Sequence, residues 1–157
     1  MHGLDGKGQT FGTAQFPYKN QLRSNVLKAH ESEENYLETI LVLSLKGSQV
    51  RSIDIVNELE YSKPSVSIAM KNLRAKGYIV MDAGGYITLT DEGQKIADTM
   101  YERHVAISDW LVHLGVDKKT AIQDACKMEH VMSEKSFSAL KSHIENWKPN
   151  VNAKKSN

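Results

Sequence analysis

Three residues with metal-binding side chains share one predicted helix in the C-terminal third of the chain. Cys126, Glu129 and His130 are spaced i, i+3 and i+4, which places them within about 100° of arc on a helix. Glu129 falls on the same face as the apolar residues Ile122 and Ala125, so we expect its side chain to be buried. Because a buried carboxylate without a partner is costly, Glu129 should be paired with a cation or bound to a metal ion.

Two other predicted helices carry further ligand-type groups on or beside their apolar faces. His104 lies on the apolar stripe of a long helix predicted over about residues 91–113, and Asn35 and Glu38 are i, i+3 neighbours on an earlier helix. Imidazole, carboxylate and amide oxygen atoms suit first-row divalent ions, whereas a thiolate favours softer ones. Three helices therefore offer ligands for one metal centre, provided that they converge.

Each of these residues also has a plainer interpretation. His104 fits a hydrogen-bonded histidine of the core, Cys126 fits a small buried apolar residue, and Glu129 fits the partner of a Lys or Arg. The triplet Cys-x-x-Glu-His is moderately specific, and it is weaker evidence than a four-ligand Cys/His zinc motif.

The elements around these residues are mainly helical. Ser32 can cap a helix over about residues 32–46, with Glu33 and Glu34 in its first turn, and Gly47 ends it. The chain closes with two further predicted helices, over about residues 118–131 and 134–147.

The segment after the first helix has the element order of a winged helix-turn-helix. Ser52 caps a short helix, and Ser62 caps the next one, in which Pro64 occupies the first turn. Alternating residues predict strands over 78–81 and 86–89, joined by a turn. This order of helix, turn, helix and hairpin predicts a winged helix-turn-helix with a two-stranded wing.

Apolar spacing predicts the buried faces of these two helices. In the first, Ile53, Val56 and Leu59 are expected to face the core. In the second, Val66 and Met70 are expected to be buried, which turns the opposite face of that helix towards solvent.

The outward face of the second helix is basic. Residues 62–76 include no acidic residue, and their four basic residues are Lys63, Lys71, Arg74 and Lys76. Lysine and small hydroxyl side chains suit phosphate and base-edge contacts, and an exposed isoleucine can meet a thymine methyl group. The residues expected to contact double-stranded DNA are Ser62, Lys63, Pro64, Ser65, Ser67, Ile68 and Lys71. The plainer alternative is a basic face that binds only water.

Composition and charge narrow the class of protein. The chain has 157 residues with Lys+Arg 20 and Asp+Glu 19, so its net charge of +1 does not by itself indicate a partner. No apolar run approaches the roughly 20 residues of a membrane span, and the N-terminal residues lack the apolar centre of a signal peptide. The single cysteine excludes an internal disulfide framework. These features predict a cytoplasmic protein that does not contact the membrane.

From about Ser32 to Trp147, about three quarters of the chain, the sequence resembles the diphtheria-toxin-repressor and manganese-transport-regulator family of metal-dependent transcriptional repressors. The matching segments keep their order along the chain, and the last is the most specific. They are Glu34–Glu38, Lys63–Ser67, Leu89–Gly93, Arg103–His104 and Ala125–Ser133.

The resemblance implies a fold and a function. It implies a homodimer with the N-terminal domain on operator DNA, divalent metal as corepressor, and metal-uptake genes as targets. The short length is closer to the manganese branch than to the iron branch. The regions we expect are a basic, flexible extension over 1–30, a winged helix DNA-binding domain over 31–95, a helical metal-binding and dimerisation domain over 96–148 and a polar tail over 149–157.

The resemblance also implies two metal positions. Glu38, His104 and Glu129 match the first, and Glu129 is shared with the second. The six candidate ligands are Asn35, Glu38, His104, Cys126, Glu129 and His130.

Four positions distinguish the two branches. Asn35 stands where the manganese branch has an acid and the iron branch has Met, whereas Cys126 agrees with the iron branch. Ser108 and Ile122 occupy positions where the iron branch has the Glu and His of its ancillary site. The candidate centre is therefore a hybrid, and Mn²⁺, Fe²⁺ and other divalent ions remain open.

A population shift would link metal to DNA. Without metal, the acidic ligands are expected to repel one another. With metal, the first helix is expected to be tied to the dimer core, which fixes the two recognition helices roughly 34–36 Å apart.

Three other classes of protein compete with this interpretation: a winged-helix regulator that responds to oxidation of Cys126, a protein-interaction module and a zinc hydrolase. The last is disfavoured because the chain lacks a His-Glu-x-x-His spacing, and we expect no enzymatic activity.

Overall fold

The computed structural model of the chain describes residues 21–47 and 49–146, with side chains from residue 28. Within these residues six helices and three strands follow one another, in the order α1 (Gln21–Leu45), β1 (Val50–Arg51), α2 (Ser52–Leu59), α3 (Lys63–Ala75), β2 (Ile79–Met81), β3 (Tyr86–Leu89), α4 (Asp91–His113), α5 (Lys118–Val131) and α6 (Glu134–Asn146). None of the described helices combines the length and apolarity that a membrane crossing requires.

Helix α1 is longer than its sequence predicts. It begins at Gln21, and Ser32, the expected cap, is an exposed residue inside the helix. Residues 21–31 contain neither Gly nor Pro, so no residue interrupts the helix before the apolar stripe begins. Part of the expected extension is therefore helical, and the rest of it, residues 1–20, lies outside the described residues, as does the expected tail over 149–157.

Helices α2 and α3 form the predicted helix-turn-helix. The Ser62 hydroxyl accepts a hydrogen bond from the Ser65 N–H (3.3 Å) and caps α3, and Pro64 lies in the first turn. The turn between the helices passes through Glu60, whose φ of 55° lies in the left-handed region. Val66 is completely buried, as its spacing predicts.

The buried face of α2 differs from the prediction at one residue, since Val56 and Leu59 pack against the core as expected. Ile53 is 43% exposed, and Ile55 is the residue that is completely buried. Ile55 and Leu59 are i, i+4 neighbours on one helix face, with Val56 beside them, and this set follows the 3.6-residue period better than the set that begins at Ile53. The helix is capped at Arg51 rather than Ser52, because the Arg51 N–H donates to the Asp54 carboxylate (2.8 Å).

The wing contains a third strand that sequence alone did not indicate. The sheet has the antiparallel order β1-β3-β2, with Val50 opposite Ile87 and Arg51 opposite Tyr86. The Arg51 guanidinium also lies 4.2 Å above the Tyr86 ring. A strand of two residues is too short to show alternation, which explains why the sequence predicts only a two-stranded wing.

Helix α4 is joined tightly to the winged helix. The Thr90 hydroxyl accepts a hydrogen bond from the Gly93 N–H (3.2 Å) and donates one to the Gly77 carbonyl (2.7 Å). A Cβ atom on Gly93 would lie 2.0 Å from the Tyr78 carbonyl oxygen, so only glycine allows this approach. The first turn of α4 is therefore fixed against the chain that leads into the wing.

Two apolar clusters make up the core of the described residues. The larger cluster joins α1 to the helix-turn-helix and the wing through buried residues that include Leu37, Ile40 and Leu73. The smaller one joins α4, α5 and α6 through Ile107, Ala125 and Phe137. Helix α1 packs along α4, and α4 packs along α5, so residues of α1, α4 and α5 meet between the two clusters.

Candidate metal centre

The first candidate ligand group brings together three helices. One ligand atom each from Glu38 on α1, His104 on α4 and Glu129 on α5 lies within 4.8 Å of the others. Glu38 is 7% exposed and Glu129 is completely buried. Oε2 of Glu129 lies 2.9 Å from Nδ1 of His104. The convergence that the metal interpretation requires is therefore present.

The second group lies on adjacent turns of α5. Ligand atoms of Cys126, Glu129 and His130 also lie within 4.8 Å of one another. Nε2 of His130 is 3.3 Å from Oε1 of Glu129. Glu129 belongs to both groups. Its Oε2 atom faces His104, and its Oε1 atom faces His130.

Asn35 lies at the edge of this second group. It lines a cleft of about 390 Å³ together with Cys126 and His130. Its Nδ2 atom donates to the Tyr61 hydroxyl across a long contact of 3.5 Å. The place of Asn35 in this cleft agrees with its predicted role, which stays a prediction.

Arg103 fixes the end of α5 that carries the ligands, and sequence reasoning gave it no such role. Its buried guanidinium donates through Nη1 to the carbonyls of Glu129 (3.1 Å) and Met132 (2.9 Å), and through Nη2 to the Glu134 carboxylate (2.6 Å). A cation at the C-terminal end of a helix also interacts favourably with the helix dipole. The only sequence signal for this role is the position of Arg103 itself, a charged residue next to His104 on a helix with an apolar stripe.

Glu34 is a second residue whose role the sequence did not indicate. Its Oε2 atom lies 2.9 Å from Nδ1 of His130, and its Oε1 atom lies 3.1 Å from Nδ1 of His30. The available signal was the i, i+4 spacing from Glu34 to Glu38, which places both carboxylates on one side of α1. A helix start at Ser32, which the sequence predicts, places Glu34 in the first turn and gives it no other role.

Proton binding relieves the expected repulsion among the acidic groups. Burial, assisted by the nearby charge of Glu129, raises the pKa of Glu38 to about 7. Burial lowers the pKa of His130, but the neighbouring Cys126, Glu129 and Glu34 side chains outweigh burial and raise the pKa to about 11. The hydrogen bond to Glu129 likewise raises the pKa of His104. Without metal, protons on these groups therefore offset the buried negative charge.

The residues fit a divalent cation. Oε1 of Glu129 is fully buried and, despite its distance of 3.3 Å to His130, has no hydrogen bond of acceptable geometry. An acceptor left in this state is costly, and a cation would satisfy it. Ligands that share an ion about 2.0–2.3 Å away lie at most about 4.6 Å apart, and the ligand atoms of each group all lie within 4.8 Å of one another.

The predicted DNA-contacting residues lie together on the exposed side of α3 and at its N-terminus. All seven, from Ser62 to Lys71, are exposed, and Ile68 is 62% exposed although it is apolar. Lys76, which follows α3, forms an ion pair with Glu33 on α1. The exposed face agrees with the predicted DNA-binding role of these residues, which stays a prediction.

Both halves of the chain match one protein family. Residues 28–84 match the N-terminal DNA-binding domain of the iron-dependent repressor family, and residues 90–154 match that family's metal-binding and dimerisation domain. The chain is 34% identical over 117 residues to the transcriptional regulator MntR of Salmonella typhimurium, and the match covers 73% of this chain and 74% of MntR.

Solved structures of the same kind have a similar fold. The manganese regulator SloR is 26% identical with a TM-score of 0.65, and the metal-dependent transcriptional regulator MtsR is 25% identical with a TM-score of 0.67. Each match covers 72% of this chain and 53% of the solved chain, so this chain matches about half the length of either protein.

The winged-helix fold and the resemblance stated from the sequence are both confirmed, and the relatives are regulators of transcription rather than enzymes. The chain belongs to the iron-dependent repressor family of metal-dependent transcriptional regulators.

Proposed function

We propose that this chain is a repressor that binds operator DNA as a homodimer when its metal centre holds a divalent ion such as Mn²⁺ or Fe²⁺. The observation that carries the proposal is the buried carboxylate of Glu129, which is shared by two ligand groups and has one oxygen without a hydrogen bond. The proposed ligands are Glu38, His104 and Glu129 in one group and Asn35, Cys126, Glu129 and His130 in the other.

Helix α1 links the metal centre to the DNA-binding unit. Leu37 and Ile40 of α1 are buried in the apolar cluster with the helix-turn-helix, while Glu38 between them faces His104 and Glu129. A bound divalent ion supplies positive charge where two buried carboxylates meet. Glu38 then holds α1, and the DNA-binding unit packed on it, in one orientation relative to α4 and α5.

The orientation of α1 matters because DNA is read by two copies of α3. A dimer binds half-sites one helical turn apart only when its recognition helices have the matching separation of roughly 34–36 Å. Metal shifts the population towards this form only as far as it binds that form more tightly than the alternatives. The apparent DNA affinity therefore depends on the metal concentration.

The remaining assignments follow the same division of roles. We assign DNA binding to residues 31–95 and metal binding and dimerisation to residues 96–148. We place the protein in the cytoplasm. The expected targets are genes of metal uptake. The mixed ligand set, with a neutral amide at Asn35 and a thiol at Cys126, leaves both Mn²⁺ and Fe²⁺ as candidate ions.

Selection from a pool of random DNA duplexes tests the proposal without knowledge of the operator. The purified full chain is incubated with the pool in Mn²⁺, in Fe²⁺ under anaerobic conditions, or with a chelator. We expect enrichment of a two-fold symmetric sequence in metal, with half-sites about one helical turn apart, and no enrichment with the chelator. Equal enrichment under all three conditions would contradict metal control, and loss of enrichment on thiol oxidation alone would favour the Cys126 alternative.

A further inference from the structure

Glu34 touches the metal centre although it belongs to neither ligand group. Its Oε2 atom lies 2.9 Å from Nδ1 of His130, and the two side chains are only 13% and 9% exposed. Its other oxygen lies 3.1 Å from Nδ1 of His30, whose side chain is 69% exposed. Because solvent barely reaches the contact with His130, this contact is the stronger of the two.

The two ring nitrogens of His130 face different carboxylates. Nδ1 faces Glu34 on α1, and Nε2 lies 3.3 Å from Oε1 of Glu129, the buried oxygen without a hydrogen bond. In a neutral imidazole one nitrogen carries the proton and the other carries a free lone pair. A carboxylate that accepts a hydrogen bond from Nδ1–H selects the form whose lone pair is on Nε2.

We propose that Glu34 is a positioning residue of the metal centre, which holds His130 through Nδ1 so that Nε2 is the nitrogen that binds the ion. The inference rests on the proposed function, since it assumes an ion at this centre. Glu34 also brings to the second ligand group a negative charge that its neighbour Asn35 does not supply. Helix α1 thus contributes a ligand through Glu38 and orients another through Glu34.

The chain offers a matched control for this role. Glu33 is the preceding residue of α1, and its carboxylate pairs with Lys76 rather than with His130. Glu34→Gln keeps an oxygen that can accept from Nδ1–H but removes the charge. Glu34→Ala removes both, and alanine suits the interior of a helix, so α1 should stay folded.

Calorimetric titration with Mn²⁺ and NMR of the Zn²⁺-loaded protein together test the inference. We expect Glu34→Ala to lower the Mn²⁺ affinity by about 10–100-fold, Glu34→Gln to lower it less, and Glu33→Gln to leave it unchanged. In ¹H–¹⁵N spectra of the histidine rings, the Zn²⁺-loaded wild type should carry a proton on Nδ1 of His130 and the ion on Nε2. Glu34→Ala should lose this single form, and Glu34→Gln should keep it.

Three results would overturn the inference. The first is an ion bound to Nδ1 of His130 in the wild type. The second is a Glu34→Ala variant that keeps the proton on Nδ1 and the ion on Nε2. The third is a Mn²⁺ affinity of Glu34→Ala equal to that of Glu33→Gln. If the wild type bound neither Mn²⁺ nor Zn²⁺, the proposed function itself would fail. Metal binding by the wild type with no effect of Glu34→Ala would reject only the role of Glu34.

Discussion

At the scale of single residues, Glu129 connects the two halves of the metal centre. It is completely buried, one oxygen lies 2.9 Å from His104, and the other faces His130. Without metal, protons on the two imidazole rings offset the negative charge of this buried carboxylate. The same arrangement exposes two lone pairs to a cation once those protons leave. Glu129 is therefore the residue whose loss should affect both ligand groups together.

Replacing Glu129 by Gln should abolish most metal binding. Loss of residues that only orient ligands typically costs 10–100-fold in affinity, so loss of a shared ligand should cost at least about 100-fold. Titration with Mn²⁺ measures the change, and circular dichroism checks that the helices remain. Glu145→Gln, on the exposed face of α6, is the matched control and should bind as the wild type does. Equal affinity of the two variants would remove Glu129 from the centre.

Metal affinity should rise with pH, and the dependence should be steeper below pH 7 than above it. The metal-free protein holds a proton on Glu38 up to about pH 7, because burial raises its pKa, and holds one on His130 up to about pH 11. Metal binding displaces both protons below pH 7 but only the His130 proton of this pair above it.

Calorimetry in buffers of different ionisation enthalpy counts the released protons. Glu38→Gln should lose the additional proton release below pH 7 and keep the remainder. A proton count that is the same at pH 6 and pH 8 in the wild type would contradict the assignment of Glu38 as a ligand that must lose its proton.

At the scale of elements, sequence patterns predicted the bounds of the long helices α4 and α5. They missed the short strand β1 and the N-terminal part of α1. The predicted bounds of α4 and α5 agree with the structure because both have clear caps, at Thr90 and Asp117. The predicted start of α1 was wrong, because Ser32 has the side chain of a helix cap but lies inside a helix that begins at Gln21. Strand β1 was missed because its partner, β3, is distant in the sequence and the strand itself has two residues.

The candidate ligands were also predictable only in part. Cys126, Glu129 and His130 share adjacent turns of one helix, so helix geometry was enough to place them together. The meeting of Glu38 with His104 depends on how α1 and α4 pack, which spacing along the chain does not encode. The family resemblance supplied that pairing. The contacts of Glu34 and Arg103 depend on details of packing that neither route supplied.

Helix α3 should contribute DNA affinity chiefly through its basic side chains. Replacing Lys71 by Ala should weaken binding to the selected duplex and to unrelated duplexes alike, and lower the slope of log affinity against log salt by about 1, if this lysine contacts one phosphate. Fluorescence anisotropy over a series of salt concentrations measures the slope. Lys119→Ala, an exposed lysine of α5, should leave it unchanged. An unchanged slope in Lys71→Ala would remove this residue from the interface.

The junction between α4 and the wing should tolerate no side chain at residue 93. Replacing Gly93 by Ala places a Cβ atom 2.0 Å from the Tyr78 carbonyl oxygen, and the backbone must shift to relieve the clash. We expect the free energy of unfolding to fall by about 3 kcal/mol or more, measured by denaturant titration. Gln94→Ala, which removes a hydrogen bond on the surface, should change it by less than about 0.5 kcal/mol. A Gly93→Ala variant as stable as Gln94→Ala would contradict the close approach.

At the scale of the whole molecule, metal control requires one rigid connection and one adjustable connection. The Thr90 and Gly93 contacts hold the start of α4 against the chain that leads into the wing. The junction of α1 with α4 and α5 contains the ionisable groups, so its free energy changes with the charge held there. Energetic coupling of this kind is reciprocal, so operator DNA should increase the metal affinity by the same factor by which metal increases DNA affinity.

The most direct test of metal control is the affinity of the full chain for its selected operator duplex, measured by anisotropy with saturating Mn²⁺ and with chelator. Metal control predicts that Mn²⁺ raises the operator affinity at least about tenfold, a coupling of at least about 1.4 kcal/mol. It also predicts that Glu129→Gln binds the operator with the same low affinity under both conditions. Equal operator affinity of the wild type with Mn²⁺ and with chelator would contradict metal control.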